Sequence, residues 1–364
     1  MPKKMKILHV FGSTTYGGAE KRTLDIIAYV DKSLYQFDIC SLVNKKGTLD
    51  SHIQQLGCKI FYLSKKNPSF RKHFFDILRS EKYDVVHSHV YPFSGYILYL
   101  AHKAGVRKRI MHLRSSYEQQ QSIYRRCFRW GMNHFIYKYA TDILAVCNGA
   151  MDKVWSKYRD DRCKVIYNGI DLTLAHQANN TDIRQQFAIP EKDYLITHIG
   201  SMVPVKNHEM IVRVFYEIQL QKPNAYLLLI GRRNEGIEHR IIELCKDLKI
   251  HEKVIIAGVH QNIFPFLQTS DLFLFPSFFE GLPGAVLEAC AVSLPVLASD
   301  IPGVKEISHH CNNVYSLSLA EPTKKWAQRS LDIMQKKHDI NLQDTPFCLQ
   351  KNIAAILDVY QGEK

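Results

Sequence analysis

The chain has 364 residues, of which 46% are hydrophobic and 23% are charged. These values are typical of a folded globular protein and exclude a disordered or fibrous chain. The net charge is +13, and all of the excess lies in residues 1–172, which hold 29 Lys/Arg against 14 Asp/Glu. Because the length exceeds what one ordinary core supports, we predict two domains.

Several sequence patterns indicate the cellular compartment of the protein. The first apolar run is short and lacks a small-residue cleavage site, so it predicts a first strand rather than a signal peptide. The uncharged stretch Val85–His102 contains Pro92 and Gly95, which favours a strand followed by a helix over a membrane span. Nine cysteines form no CxxC pair, as expected of reduced core thiols. We therefore expect a cytoplasmic protein, either free or peripheral on the inner face of the cell membrane.

Short apolar runs alternate with helical patterns along the whole chain, which indicates βαβ units and parallel sheets. The predicted fold class is α/β, with two Rossmann-like, doubly wound sheets facing a central cleft. A polar segment, 173–192, is the predicted linker, and a C-terminal helix over 346–364 is expected to pack back on the N-terminal domain. The predicted strands are 6–12, 37–43, 59–63, 84–89, 109–113, 142–147 and 164–168 in the N-terminal domain (1–172), and 194–200, 225–231, 253–258, 271–277 and 295–299 in the C-terminal domain (193–345).

Residues 85–141 form a basic segment in which Glu118 is the only acidic residue. Nine Lys/Arg side chains are interleaved there with aromatic ones. Such a surface can lie against an anionic membrane with its rings at the headgroup level, or it can bind nucleic acid. A third reading is a solvated basic helix face with the aromatic side chains in the core. We favour the membrane surface and expect no nucleic acid partner.

Ligands of parallel sheets bind where strands end. The first predicted strand ends in a glycine-rich loop with Gly17 and Gly18, and a helix is predicted to start near Ala19, so that backbone can approach a phosphate or sugar closely. The loop does not match GxGxxG, and a nicotinamide dinucleotide is not indicated. His89 ends the fourth strand, where an imidazole can donate to a sugar hydroxyl, while His87 is predicted to be a core histidine.

The most informative segment is 275–307, which contains Glu280 and Glu288 with seven residues between them and a predicted helix start around Gly284. This EGLPGAVLE arrangement closely resembles the E-x7-E signature of retaining glycosyltransferases of family 4, which have the GT-B fold. The resemblance covers nearly the whole chain and is greatest to the branch that builds bacterial exopolysaccharide, capsule or other surface glycans. Three further motifs occur in that family's usual order: GGAEK (17–21), VIYNGID (165–171) and GSMVPVKNHEMI (200–211).

The resemblance implies transfer of a sugar from a UDP- or GDP-linked donor to a glycan or lipid-linked glycan, by a front-face route in which the leaving phosphate accepts the acceptor's proton. Glu288 would accept hydrogen bonds from the ribose hydroxyls, Glu280 would contact the donor sugar, and Lys206 would neutralise the diphosphate. The implied catalytic residues are His89, Glu280 and Lys206. The implied donor-binding set is Gly17, Gly18, Gly200, Ser201, Lys206, Arg232, Glu280, Gly281, Leu282 and Glu288.

One position departs from the family pattern. Where members have Gly-Arg ahead of a lysine, this chain has Gly200-Ser201 ahead of Lys206, so the phosphate-binding arginine is missing. We expect Arg232 or Arg233, at the end of the next strand, to supply that charge. Because no Asp-x-Asp motif occurs in the chain, we expect neither a metal nor any cofactor besides the nucleotide-sugar substrate.

Two other classes stay open at this point. An epimerase or phosphorylase on a related two-domain fold would turn over the donor without an acceptor, or would need phosphate or pyridoxal phosphate. A polyanion- or membrane-binding protein with a decayed sugar site would bind polyanions in a salt-sensitive way and would bind no nucleotide.

Overall fold

The computed structural model of the protein describes residues 4–115, 122–176 and 182–362, apart from the side chain of Leu174. Tyr117 and Glu118 of the basic segment and Asn179-Asn180 of the predicted linker lie outside the described residues. The chain divides into two compact units. The first comprises Met1–Gly169 together with Leu349–Lys364, and the second comprises Ile170–Cys348.

A parallel seven-stranded sheet forms the centre of the first unit. Its strands are β1 Met5–Phe11, β2 Tyr35–Ser41, β3 Ile60–Tyr62, β4 Val85–Ser88, β5 Lys108–Leu113, β6 Asp142–Ala145 and β7 Cys163–Val165. They lie in the order β3-β2-β1-β4-β5-β6-β7, so the winding direction reverses between β1 and β4. Open α/β sheets bind ligands beyond the carboxyl ends of their strands at such a reversal.

The helices described in the first unit include the last one in the chain. Its core joins Ile7 of β1 and Ile39 of β2 to Leu349, Ile356 and Tyr360. The C-terminal helix therefore completes the core of the first unit, because its apolar residues recur at helical spacing and face the sheet. The helices are α1 Gly18–Tyr29, α2 Asp50–Gln55, α3 Phe70–Glu81, α4 Ser94–Lys103, α5 Ile123–Tyr139, α6 Asn148–Trp155 and α15 Leu349–Gln361.

The second unit repeats the architecture with a six-stranded parallel sheet. Its strands are β8 Tyr194–Ile199, β9 Ala225–Ile230, β10 Val254–Gly258, β11 Leu272–Phe275, β12 Val296–Ser299 and β13 Val314–Leu317, in the order β10-β9-β8-β11-β12-β13. Its helices are α7 Leu172–His176, α8 Ile183–Gln186, α9 His208–Gln221, α10 Glu235–Asp247, α11 Phe264–Thr269, α12 Gly284–Cys290, α13 Pro302–Ser308 and α14 Thr323–Met334. The prediction of two doubly wound α/β sheets is confirmed.

Two segments differ from the sequence-based expectation. The edge strand β13 was not predicted, because Val314–Leu317 is short, only partly buried and therefore lacks a continuous apolar run. The segment 173–192, predicted as a linker, contributes Ile183 and Ile189 to a core cluster with Leu228. Polar residues separate these two buried isoleucines, so the overall composition of the segment did not indicate that it packs in the core.

The chain passes between the two units at adjacent points. The amide of Ile170 donates to the carbonyl of Phe347 at 2.9 Å, and Ile170 forms an isolated parallel bridge with Cys348. A Cβ on Gly169 would lie 2.6 Å from Leu349 Cα, so only glycine fits at this position of the VIYNGID motif. None of the described helices has the length and apolar character needed to cross a bilayer.

Candidate active site

In the second unit, the sequence-predicted donor residues other than Glu288 lie on the loops that follow β8, β9 and β11. Two backbone hydrogen bonds join these loops. The amide of Met202 donates to the carbonyl of Arg232 at 2.8 Å, and the amide of Phe278 donates to the carbonyl of Val205 at 2.9 Å. Because β8 and β11 flank the reversal of strand order in the second sheet, the loops meet where a ligand of such a sheet binds.

Lys206 and Glu280 form an ion pair at this edge. The distance from Lys206 Nζ to Glu280 Oε1 is 2.7 Å, and the two side chains are 18% and 22% exposed. Lys206 Nζ also lies 4.7 Å from the centre of the Phe275 ring. The structure thus joins two residues that the sequence places 74 positions apart, and it holds a cation and a carboxylate together at a partly open surface.

Glu288 lies on α12 and is 5% exposed. The loop before this helix is fixed from behind by α13, because a Cβ on Gly303 would overlap the carbonyl oxygen of Gly281 and come within 3.3 Å of Pro283 Cδ. Leu282 is also buried. The Glu280–Leu282 loop is therefore held by close backbone packing as well as by the Lys206 pair.

Two buried histidines that the sequence analysis did not single out lie beneath Gly200. The rings of His198 and His208 meet edge to face at 5.0 Å, and His198 Nδ1 lies 2.9 Å from the Leu274 carbonyl oxygen. Burial, reinforced by the charge of Lys206, lowers the pKa of His208 to about 4. A Cβ on Gly200 would lie 2.9 Å from His198 Nε2. The Gly200 loop therefore packs directly on these two neutral rings.

The two arginines after β9 have different surroundings. Arg233 donates to the Ile256 carbonyl at 2.7 Å and pairs with Glu238 at 3.2 Å. Arg232 is exposed, and within the described part of the chain its side chain has no hydrogen bond or ion pair. Arg232 is thus the better placed of the two to bind an incoming anion.

In the first unit, helix α1 begins at Gly18, one residue before the predicted start. A Cβ on Gly18 would meet no atom of the described residues within 4 Å, whereas one on Gly17 would overlap the Glu20 carboxylate. Burial raises the pKa of Glu20, against the opposing effects of its own backbone hydrogen bond and Arg114. Packing within the unit therefore gives no reason for glycine at position 18, and close approach of a ligand would give one.

His89 lies at the carboxyl end of β4, as predicted, but both of its ring nitrogens have partners. Arg114 Nε donates to His89 Nδ1 at 3.2 Å, and His89 Nε2 lies 3.0 Å from His9 Nδ1. Arg114, which the sequence did not mark as a site residue, also donates to Asn168 at 2.9 Å and Thr23 at 3.2 Å. His89 can therefore donate to a sugar hydroxyl only if its ring exchanges one of these partners.

Two doubly wound parallel sheets, with the Lys206–Glu280 pair at the carboxyl edge of the second and Glu288 on the helix that follows, are the architecture of a glycosyltransferase of the GT-B fold. Residues 16–174 match the family model described as Glycosyltransferase Family 4, and residues 179–337 match the model described as Glycosyl transferases group 1. The chain belongs to this family of glycosyltransferases and is an enzyme.

Relatives match the chain over most of its length. The capsular polysaccharide biosynthesis glycosyltransferase CapH of Staphylococcus aureus is 28% identical, over 99% of each chain. An Escherichia coli UDP-Gal:alpha-D-GlcNAc-diphosphoundecaprenol alpha-1,3-galactosyltransferase is 24% identical, over 82% of this chain and 80% of that one. The crystal structure of HepE from Anabaena in complex with UDP-glucose superimposes with a TM-score of 0.77 at 17% identity, over 97% of this chain and 94% of that one.

Proposed function

We propose that the protein is a retaining glycosyltransferase that moves a sugar from a UDP-linked donor to a glycan or lipid-linked glycan during assembly of a surface polysaccharide. The observation that carries the proposal is the Lys206–Glu280 ion pair at the reversal of strand order in the second sheet, together with the buried Glu288 on α12, the helix that follows the Glu280 loop. No metal or further cofactor takes part in the proposed reaction.

Each side chain has a role that its chemistry supports. Lys206 carries a compact, fully charged ammonium that neutralises the departing diphosphate, which lowers the barrier to its departure. Glu280 accepts hydrogen bonds from hydroxyls of the donor sugar, and Glu288 accepts them from the two adjacent ribose hydroxyls. Lys206 exchanges Glu280 for the diphosphate when the donor binds, so an ion pair of the free enzyme is replaced by two ligand contacts.

Arg232 is the proposed replacement for the arginine that this chain lacks next to Gly200. Its backbone is tied to the β8 loop through Met202, and its side chain is exposed beside the donor residues. Arg232→Gln should weaken donor binding, whereas Arg233→Gln is the matched control, because Arg233 is already engaged by Glu238. Equal affinity for the donor in both variants and the wild type would remove Arg232 from the site.

The relatives favour a uracil base and a role in surface glycans. CapH is named for capsular polysaccharide biosynthesis, the Escherichia coli relative for a UDP-linked galactose, and the HepE crystal contains UDP-glucose. A GDP-linked donor is the competing choice.

A thermal-shift panel of UDP, GDP, ADP and their common sugar conjugates tests the donor site. We expect UDP compounds to raise the melting temperature, because a ligand at a hundred times its Kd adds about 2.7 kcal/mol to the free energy of unfolding. Glu288→Gln should abolish the shift. Glu243→Gln, which alters an exposed carboxylate paired with Lys246 on α10, should keep it. Stabilisation by GDP alone would reassign the base, and no shift from any nucleotide would reject the proposal.

Retention of configuration is tested on the product. With a UDP-sugar whose anomeric carbon is α, proton NMR of the first product formed should show an α linkage. A β linkage would exclude the front-face route. Lys206→Met should lower kcat by about 10²-fold, as removal of one charge-stabilising donor does in other enzymes. Lys246→Met, on an exposed lysine, should leave kcat unchanged.

A groove between α5 and α6 is the proposed contact surface for a lipid-linked acceptor. It has a volume of about 680 Å³ and is lined by Arg126, Arg129, Lys153 and Lys157, with Trp130 among the aromatic side chains and no acidic residue among those that line it. The aromatic side chains of α5 do not all lie in the core, because Trp130 is 70% exposed. This corrects the reading of the segment as a basic face over buried rings.

Exposed rings beside cations suit the headgroup level of an anionic leaflet, where a diphosphate-linked glycan is presented. Vesicle co-flotation tests the surface. Binding should be strong with anionic lipid, weak with neutral lipid and reduced by salt, and Trp130→Ser combined with Arg126→Ser should weaken it. Equal recovery with neutral and anionic vesicles, or wild-type recovery of the double variant, would show that the groove is not a contact surface for an anionic membrane.

A further inference from the structure

Beneath the carboxyl edge of the first sheet lie four histidines and one tyrosine, drawn from β1, β4, β5 and α15. His9, His87, His112 and Tyr360 are each at most 3% exposed. The rings lie close together, with centroids of His87 and His89 4.4 Å apart and those of His87 and His112 5.2 Å apart. Four such imidazoles, three of them buried and His89 half-buried, cannot share this space as cations, and burial lowers the pKa of each of them.

The hydrogen bonds among these groups have a definite direction because one end is a guanidinium. Arg114 can only donate, and its Nε lies 3.2 Å from His89 Nδ1. A neutral His89 must then carry its proton on Nε2, which lies 3.0 Å from His9 Nδ1 and donates to it. His9 in turn carries its proton on Nε2, which faces the Tyr360 hydroxyl at 3.4 Å.

The direction continues through the C-terminal helix. The Tyr360 hydroxyl, which accepts from His9, donates to His87 Nδ1 at 2.8 Å. His87 then carries its proton on Nε2 and donates to His112 Nδ1 at 3.0 Å. All four imidazoles are thereby assigned the same tautomer, with a bare Nδ1 and a protonated Nε2. A single cation at the sheet edge fixes the proton positions of five other groups.

We propose that Arg114 and Tyr360 are positioning residues, which hold His89 at the sheet edge as a neutral imidazole with its proton on Nε2. When the donor binds, His89 exchanges His9 for a hydroxyl of the donor sugar and donates its Nε2 proton there. This role in sugar transfer rests on the proposed function, whereas the hydrogen-bond chain of the free enzyme does not. Because Arg114 has no lone pair to receive a proton, the chain has no acceptor at that end. It therefore orients His89 and does not conduct protons.

The competing use of these nitrogens is a metal site, because His9, His87 and His89 each place one ring nitrogen within 4.8 Å of the others. Two observations favour the hydrogen-bond chain. The cation of Arg114 touches His89 directly, and a divalent ion beside it would be repelled. The lone pair of His9 Nδ1 is also already used by a well-formed 3.0 Å contact with His89.

Nitrogen-15 NMR of the histidine-labelled full chain reads the tautomers directly, without reference to activity. We expect four neutral imidazoles with unprotonated Nδ1 and protonated Nε2 at neutral pH. Tyr360→Phe should disturb the signals of His9 and His87, because both lose their hydroxyl partner. Tyr35→Phe is the matched control. The Tyr35 hydroxyl accepts a hydrogen bond from Gln361 of the same helix but is not part of the histidine hydrogen-bond chain, so its loss should leave the four tautomers unchanged.

The activity readout separates positioning from donor binding. Tyr360→Phe should lower kcat by about 10- to 100-fold, as loss of a partner that orients a site residue does elsewhere, with KM for the donor unchanged. Tyr35→Phe should keep both constants. A proton on Nδ1 or a charged imidazole at neutral pH would overturn the proposal, as would stoichiometric binding of Co²⁺ with a ligand-field spectrum. Wild-type tautomers with no transferase activity would instead refute the proposed function alone.

Discussion

Gly303 is the residue through which the donor site can be disturbed without touching a ligand. It lies in the first turn of α13, where the backbone is helical and alanine is otherwise favoured. A Cβ there would fall well inside the 3.0 Å that real Cβ atoms keep from the Gly281 carbonyl oxygen, so that carbonyl must retreat by roughly 1 Å. Gly281 adjoins Glu280, and the displacement therefore reaches the donor residue directly.

Misplacement of a site group by about 1 Å costs about 10²-fold in rate, and overpacking of a close contact costs about 1–3 kcal/mol of stability. We therefore expect Gly303→Ala to lower kcat/KM by about 10²-fold and to lower the melting temperature. Steady-state transfer kinetics and thermal unfolding measure both. Gly236→Ala is the control, because among the described residues a Cβ there meets only Asn234 Oδ1, at 3.7 Å. Wild-type kinetics for Gly303→Ala would show that the loop position does not control transfer.

Three further predictions concern the first unit. Asp142→Asn should cost about 3–5 kcal/mol in urea unfolding, because it leaves the Lys108 ammonium, now paired at 3.4 Å and 6% exposed, buried without a counter-charge. Gly18→Ala should keep the wild-type melting temperature but lower transfer activity if a ligand approaches there, whereas Gly12→Ala, which is equally open, should change neither. Burial holds the pKa of His9 at about 3, below its unfolded value of 6.5. The contribution of His9 to the free energy of unfolding should therefore be full above about pH 6.5 and fall by up to about 1.4 kcal/mol per pH unit below it, and the other histidines whose pKa burial lowers add to this fall. A free energy of unfolding that is flat to about pH 5 would contradict this burial.

The strands of the two sheets were predicted more accurately from the sequence than the packing of the helices on those sheets. Each predicted strand has a counterpart whose ends lie within three residues of the predicted ones, because buried parallel strands are continuous apolar runs. The start of α12 at Gly284 was also predicted. The edge strand Val314–Leu317 escaped because one of its faces is open and its apolar run is broken.

For the site, the sequence identified individual residues but not the contacts between them. Glu280 and Lys206 were assigned from a motif, and the structure brings them to 2.7 Å, a distance that no local pattern contains. Arg114 was counted only as one basic residue among nine, and Tyr360 only as part of a terminal helix. Their roles depend on hydrogen bonds between residues that lie 25 and 273 positions apart in the sequence. Periodicity and composition do not reveal such contacts.

The discontinuity of the first unit has a consequence for biosynthesis. Residues 170–348 contain the whole of the second unit, but the core of the first lacks Leu349, Ile356 and Tyr360 until the last helix has been synthesised. On the ribosome the middle of the chain can therefore reach its final structure before the beginning does, against the usual N-terminal-first order. A nascent or truncated chain ending before residue 349 exposes the apolar sheet face that α15 covers, and we expect it to be bound by chaperones or degraded.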